Sequence, residues 1–591
     1  MKDKMAEFTR QQLTDEARDR RVRELYELVL EIEQRLIPTG LHIFGQTSNE
    51  RECADLLRMI ASFDRPDAGI RSLPTLIAEG LSIQIDDHSD SSEARRAEAM
   101  REELLQARER VDVIVREAVA HLLNDGQEAA SVWIESRANV SREASRPLFR
   151  LLFEVREQLQ SNNELDSLAR ALRGEYVEPG PGADIVQNPK VLPTGRNTHA
   201  INPYSVPSDL AYARARRVVD LLLERHVREQ GRYPAAMALV LWGLDNIKTQ
   251  GEGVAQALWL LGVRPIRDSL NRVADVEPIP LAQLGRPRID VVMTVSGIFR
   301  DLFSPTTALL DRAVKCVAAL DEPAELNYVR RNAHAQVETE GCSFEEASLR
   351  VFSNAPGNYG ANVNFMVTCS QWETDDALAD LFVTRKSFAY GTDARGRLLE
   401  GREAGASMKR ALSRVEATYQ NIDSFEIGIT DVDHYFEYLG GVSKAVEKSS
   451  SARPAIYLSD SLSRETKVRS LAETVRLETR AKTLNPKWYE GMLRHGYRGV
   501  AEIETRVTNT FGWSATADAV DDWIYDEVAE TFVLDEQMLE RLRALNPHSA
   551  RSLVARLLEA SGRGFWKAEG GVLERLHEIY DELEDRIEGV A

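Results

Sequence analysis

A chain of 591 residues is too long for one hydrophobic core, and at roughly 150 residues per domain about four units are expected. Hydrophobic residues make up 43% and charged residues 28%, the balance of an ordinary globular protein. A net charge of −20 argues against a general nucleic-acid binder, which needs a basic surface to displace counterions.

No stretch approaches the ~18 consecutive apolar residues of a membrane span. Cys53, Cys316, Cys342 and Cys369 are far apart and form no CxxC pair, so neither a structural zinc site nor a disulfide framework is expected. The opening MKDKMAEFTRQQLTDEARDRR is too charged for a secretory leader, and a cytoplasmic location is the expectation.

In chain order, Val22, Leu25, Tyr26, Val29, Leu30 and Leu36 recur at helical spacing before Pro38 and Gly40 end the run. The polar stretch Asp86–Ser92 predicts a loop, followed by a long helix from about Ser91 to Leu123 and a third helical stretch from Ser141 to Leu172. Near residue 174 the texture changes to Pro, Gly and Asn, which predicts an irregular loop or linker through Asn197. A helix from Ser208 to Gln230 follows, with Ser208 as N-cap.

Ala236–Trp242 is an apolar run of buried-strand length. A polar loop, Gly243–Gly251, leads from it into the helical Glu252–Leu261. Arg288–Ser296 predicts a second strand, followed by a helix over Phe299–Ala319. Strand, loop, helix, strand is the order of a doubly wound parallel sheet. Ligands of such sheets bind beyond the carboxyl ends of the strands, where Asp245, Asn246, Ser296 and Arg300 are expected. The fold class is therefore α/β in three regions. Residues 1–173 are mainly helical, 174–337 form the α/β domain behind its Pro/Gly-rich loop, and 338–591 are mixed and mostly helical.

Standard catalytic signatures are missing. There is no GxxxxGK followed by Ser or Thr, no HExxH and no GxSxG, and Gln256 stands where a GxGxxG starting at Gly251 needs its third glycine. Unusual residue sets sit instead in loops: Thr194–His199, Asp431–Phe436, Asn485–His495 and Phe511–Thr516. A histidine at a helix end also serves as a backbone partner, and a tryptophan also serves as core. Residue types and spacing alone define a multi-domain α/β protein with candidate polar pockets.

Eight blocks in fixed order carry more. They are VLPTGRNTHAINPYSVPS (191–208), ALVLWGLDNIKTQGEGVAQALWLLGVRP (238–265), LGRPRIDVVMTVSGIFRDLF (284–303), VFSNAPGNYGANVN (351–364), RKSFAYG (385–391), TDVDHYFEYLGG (430–441), LNPKWYEGMLRHGYRGVAEIETRVTNTFGWSAT (484–516) and LEDRIEGV (583–590). Together they resemble the C-terminal half of the large subunits of magnesium chelatase and aerobic cobaltochelatase. The RKSFAYG, DVDHYF, SNAPGNYGANVN and EDRIEGV segments favour the magnesium branch.

The resemblance implies insertion of Mg²⁺ into protoporphyrin IX on the way to chlorophyll or bacteriochlorophyll. ATP is then hydrolysed by separate AAA+ subunits, I and D, which agrees with the missing P-loop. It further implies half of a split or truncated H subunit, with an N-terminal H half and the downstream methyltransferase as additional partners. Alternatives are a cobaltochelatase fragment acting on a corrin precursor, and a porphyrin carrier or sensor without catalysis. Mg²⁺ is a hard cation that needs oxygen ligands, and two pyrrole N–H protons need bases. On that basis Glu252, Asp433, His434 and His495 are the catalytic candidates, and His199, Glu252 and Asp433 the metal candidates. Arg196, Asn197, Arg385, Trp488 and Trp513 are the substrate-binding candidates, the arginines for propionates and the aromatics for the flat ring.

Overall fold

The computed structural model describes residues 40–65, 68–85, 94–182, 184–199, 201–393, 395–460 and 466–590, with scattered positions between 25 and 38. The chain divides into two compact units. One comprises residues up to Pro38 with His42–Thr198, the other Thr39–Leu41 with His199–Ala591.

The first unit is built on helices Glu50–Ala61, Leu73–Gly80, Ala94–Asp125, Gln127–Ala138, Arg142–Leu159 and Glu164–Leu172. Asn49 opens the first with a capping box: its side chain accepts from Glu52 N at 3.0 Å while the Glu52 carboxylate accepts from Asn49 N at 3.1 Å. The single helix expected over Ser141–Leu172 is broken at Ser161–Asn163, where the Asn162 side chain takes the Glu164 N–H at 2.9 Å. Short polar side chains compete for backbone groups in this way and end helices. Val22, Leu30, Leu36 and the Asp86–Ser92 loop lie outside the described residues. The unit also carries β1 (Pro179–Pro181), which pairs with β2 (Asn197–His199) at the unit boundary.

The second unit is centred on an eight-stranded sheet. Its strands are β3 (Ala236–Leu241), β6 (Asp290–Val295), β7 (Val351–Ser353), β8 (Phe388–Thr392), β9 (Leu398–Glu403), β10 (Ala417–Ile422), β11 (Ala455–Asp460) and β12 (Lys467–Ser470), in the order β12-β11-β10-β3-β6-β7-β8-β9. A small antiparallel pair, β4 (Val263–Arg267) and β5 (Val273–Pro278), lies apart from it. The run β11-β10-β3-β6-β7 is parallel, and the edges β12, β8 and β9 are antiparallel. Every residue of β3, β6 and β10 is buried, as expected of parallel strands covered on both faces. Leu239, Val291, Met293, Tyr419, Leu258 and Val314 belong to that core.

Helix Asp209–Gln230 packs on the sheet, capped by Ser208 Oγ, which accepts from Ala211 N at 3.1 Å. The stretch expected as a polar loop after β3 is instead a short helix, Gly243–Lys248. Asn246 makes the difference. Its amide donates to Trp242 O at 2.7 Å and its oxygen accepts from Val254 N at 3.1 Å, stapling this turn to helix Glu252–Leu261. The helix expected over Phe299–Ala319 is two, Gly297–Leu302 and Ser304–Ala319, because Pro305 is tolerated only in a first turn.

Six of the eight sheet strands come from beyond residue 338, so the division expected there falls inside one sheet. These strands are short and separated by helices, which hides them in a pattern dominated by helical periodicity. From Leu471 onward the chain is a helical layer. Among the described residues no helix is long and apolar enough to cross a membrane.

Candidate functional site at the carboxyl ends of the parallel strands

From β3 the chain runs to β6 and β7 on one side and later to β10 and β11 on the other, so the order reverses between β3 and β10. Such a reversal splays the connections apart and opens a crevice at the strands' carboxyl ends. Asp245, in the short helix after β3, is 3% exposed. Asn421 of β10 donates to its Oδ2 at 3.3 Å, and Oδ1 has no partner. Tyr419 OH and Ser459 Oγ both donate to Asn421 Oδ1, at 2.7 and 2.6 Å, which turns the Asn421 amide towards Asp245.

Asp423, just beyond β10, takes Lys248 Nζ at 3.1 Å and Tyr435 OH at 2.9 Å. Glu252 is buried at the first turn of its helix, with Gln256 Nε2 at 3.5 Å. Burial, reinforced by the charges of Asp423 and Glu252, pushes the Asp245 carboxyl up to about 8.

A second group joins this floor through Trp242, whose ring centroid lies 5.9 Å from that of His434 and 4.4 Å from that of Tyr438. His434 Nδ1 sits 3.0 Å from Glu437 Oε2 and 3.4 Å from Asp433 Oδ1. Asn364 Nδ2 donates to the other Asp433 oxygen at 2.6 Å. The contact with Glu437, and secondarily the Asp433 charge, raises the His434 imidazole above its ordinary value.

Glu437 lies in a π-helical turn, Phe436–Gly440, and its Oε1 accepts from Ala361 N at 2.5 Å and Asn362 N at 2.7 Å. Behind it Lys386 Nζ donates to Val295 O at 2.8 Å and Asn354 Oδ1 at 3.0 Å, and lies 4.2 Å from the Tyr438 ring centroid. Burial holds this ammonium well below the usual lysine range.

Of the residues singled out from the sequence, the structure brings Asp433 and His434 together. It places Glu252 in the buried carboxyl group with Asp245. Arg385 lies beside the Asn/Gly loop, donating to Tyr359 O at 3.2 Å. His495 precedes helix Gly496–Ala517, and its Nε2 accepts from Leu41 N at 2.9 Å. Trp488 is buried under the Arg506 guanidinium, 4.6 Å from its ring centroid. Trp513 is fully buried and donates to Ile429 O at 2.9 Å.

Arg196 and Asn197 belong to the first unit. Arg196 binds Lys190 O at 2.6 Å and Leu192 O at 2.9 Å, and Asn197 reaches Val177 O at 3.5 Å. The His199 side chain lies outside the described ones.

The sequence reading missed Glu437, Asn354, Lys386, Asn421 and Asp423. Three of these stand inside the eight blocks, and the three-residue step from His434 to Glu437, one helical turn, was the available signal. Among the described residues, no three His, Cys, Asp or Glu side chains converge to hold a metal ion alone. A hard cation meeting one or two carboxylates here keeps most of its water.

A doubly wound sheet with buried carboxyls and a histidine–carboxylate pair near its order reversal defines an α/β protein whose polar groups gather at the carboxyl ends of the strands. More specifically, the chain belongs to the CobN/Magnesium Chelatase family, whose model matches residues 1–573. It is 46% identical to the chloroplastic magnesium-chelatase protein ChlH of Oryza sativa subsp. indica, over 98% of this chain and 43% of that protein. It is likewise 46% identical to the H subunit of the magnesium chelatase of Cereibacter sphaeroides, over 74% of this chain and 36% of that protein. Its fold matches the catalytic subunit of cobaltochelatase from Mycobacterium tuberculosis with a TM-score of 0.86 at 33% identity, covering 97% of this chain and 47% of that one. The chain thus spans under half the length of these relatives.

Proposed function

We propose that this chain is the metal-inserting part of the H-type component of a magnesium chelatase: it holds a porphyrin, with protoporphyrin IX as the substrate, while Mg²⁺ replaces two pyrrole protons. Support comes from the 46% identity to two magnesium-chelatase proteins, against 33% to the cobaltochelatase structure. The observation that carries the chemistry is the cluster of Asp433, His434 and Glu437 beside the buried Asp245 and Glu252, at the end of the sheet where ligands bind.

Charge balance sets what the site does: one divalent cation enters and two protons leave. Asp433 is the oxygen ligand for partly hydrated Mg²⁺ and His434 the proton acceptor. Glu252 acts from behind, through the electrostatics of Asp245. Arg385 is the partner for a propionate, and Trp242, backed by the buried Tyr438, offers the aromatic face for the ring. ATP hydrolysis belongs to separate I and D subunits, since no P-loop is present in this sequence.

Titrating the chain with protoporphyrin IX, followed by quenching of its eight tryptophans, tests ring binding. Reconstitution with I and D subunits, Mg²⁺, ATP and the portion of the relatives that this chain does not span tests insertion. Asp433→Asn should lower the insertion rate at least ~10-fold while porphyrin affinity stays; an unchanged rate removes Asp433 from the site. The cobaltochelatase likeness favours one second reading, Co²⁺ insertion into a corrin precursor, and parallel assays with that metal and ring decide between them.

A further inference from the structure

We propose that Glu437 is a positioning residue that fixes His434 with Nδ1 on the carboxylate and Nε2 presented to the ligand, making His434 the base for the ring N–H groups; this rests on the chelatase reading above.

The geometry is that of a carboxylate–histidine pair in which each part is held from behind. Glu437 is 1% exposed, whereas the His434 side chain is 60% exposed. Nδ1 faces Glu437 Oε2 at 3.0 Å and Asp433 Oδ1 at 3.4 Å, and Nε2 has no partner among the described residues. A carboxylate offers only acceptors, so the neutral ring carries its proton on Nδ1 and keeps the Nε2 lone pair free.

The Glu437 seat is built by chain remote from it. Ala361 N and Asn362 N both point at Oε1, flanked by left-handed backbone at Gly360 (φ 69°) and Asn362 (φ 63°). A Cβ at Gly360 would stand 3.0 Å from Oε1, so glycine there lets the carboxylate come close. The loop itself is pinned to the sheet. Asn354 Nδ2 donates to Gly360 O at 2.6 Å and Arg385 O at 3.1 Å, and its oxygen takes Lys386 Nζ, which also holds the end of β6. Arg300 adds bonds to Ala355 O at 2.9 Å and Asn358 O at 3.0 Å. A base held this way loses little freedom when a planar ring arrives.

The step balances simply. His434 Nε2 takes one proton from a pyrrole nitrogen, leaving the N–H bonding pair on the ring for the incoming cation. The imidazolium that forms keeps its Nδ1–H on Glu437, releases the Nε2 proton to water, and accepts the second.

Glu437→Gln tests this with little steric change. The glutamine oxygen still accepts from Ala361 and Asn362, but its NH₂ now faces His434 Nδ1 and drives the ring proton to Nε2. In ¹⁵N spectra of the neutral ring, assigned by comparison with His434→Gln, the wild type should be the Nδ1–H tautomer and Glu437→Gln the Nε2–H tautomer. Insertion by the complete assembly should fall ~100-fold in Glu437→Gln, at porphyrin affinity within ~2-fold. The His434→Gln, Glu437→Gln double variant should lose no more than His434→Gln alone. Glu437→Asp, which keeps a carboxylate, should keep the Nδ1–H tautomer and recover part of the rate.

An unchanged tautomer in Glu437→Gln overturns the positioning role, and an inverted tautomer with an unchanged rate overturns His434 as the base. If the wild-type chain binds no porphyrin and inserts no metal, the chelatase reading fails, and the tautomer spectra still decide the role of Glu437. Should Glu437→Gln fail to fold, Glu437→Asp and His434→Gln decide it: a rate in Glu437→Asp as low as that of His434→Gln overturns the proposal.

Discussion

Asn421 near the end of β10 donates its side-chain amide to Asp245 beyond the end of β3 at 3.3 Å, joining the two neighbouring strands between which the sheet reverses its order. Residues 176 apart in sequence meet there, beside Asp423, Glu252 and Lys248. The floor beneath the strand ends is therefore acidic and largely buried.

This floor makes stability depend on pH. The Asp245 carboxyl is raised to about 8, so its contribution is fully present below the ordinary aspartate value and is lost as pH rises through about 8. Asp245→Asn has no such loss. The stability of Asp245→Asn relative to wild type, read from melting temperatures, should climb between about pH 4 and pH 8, by at most ~1.4 kcal/mol per pH unit. A gap that stays constant across that window means Asp245 ionises normally.

At the opposite end of β6 from the site, Arg350 pairs with Asp290 at 2.8 and 3.0 Å, both 2% exposed, and Asn332 donates to the same carboxylate at 2.9 Å. Arg350→Leu strands a buried carboxylate and should cost ~3–5 kcal/mol in urea denaturation. Replacing Asp290 by Leu as well should cost less than Arg350→Leu alone. A double-variant cost equal to the sum of the two single-variant costs would mean the pair is not coupled.

Gly499 lies in helix Gly496–Ala517 against helix Pro486–Leu493, and a Cβ on it would stand 1.7 Å from Met492 O. A backbone carbonyl cannot swing aside as a side chain can. Gly499→Ala should destabilise the second unit by at least ~2 kcal/mol, whereas Gly562→Ala, with open space around it, should be tolerated. Similar melting temperatures for the two variants would count against this packing.

How far the site was legible beforehand differs residue by residue. Asp245 was expected at the sheet's carboxyl end because β3 is an unbroken apolar run followed by Gly243, a pattern that strand periodicity exposes directly. Asp433 and His434 stood out as a polar pair among aromatics. Glu437 did not, because its role depends on two amides of the 351–364 block, about 75 residues earlier. A lysine is ordinarily a surface cation, yet Lys386 is buried. Only the approach of Val295 O and Asn354 makes that burial tolerable. Trp488 and Trp513 were ring-platform candidates only through the family resemblance, since a tryptophan is more often core, and the helical layer around them buries both.

By itself the sequence determined the local elements and the kinship: β3 and β6 as buried strands, Ser208 as a helix cap, the absence of a P-loop, and eight ordered blocks shared with the chelatase large subunits. Those signals are carried by residues within one or two turns of each other, where backbone sterics and side-chain period act. Only the tertiary structure decided that six more strands complete one sheet, that its order reverses between β3 and β10, and that the 351–364 block seats Glu437 behind His434. Those contacts join segments tens to hundreds of residues apart, and which of many polar side chains meet is settled by how the whole core packs, not by the pattern of any one segment.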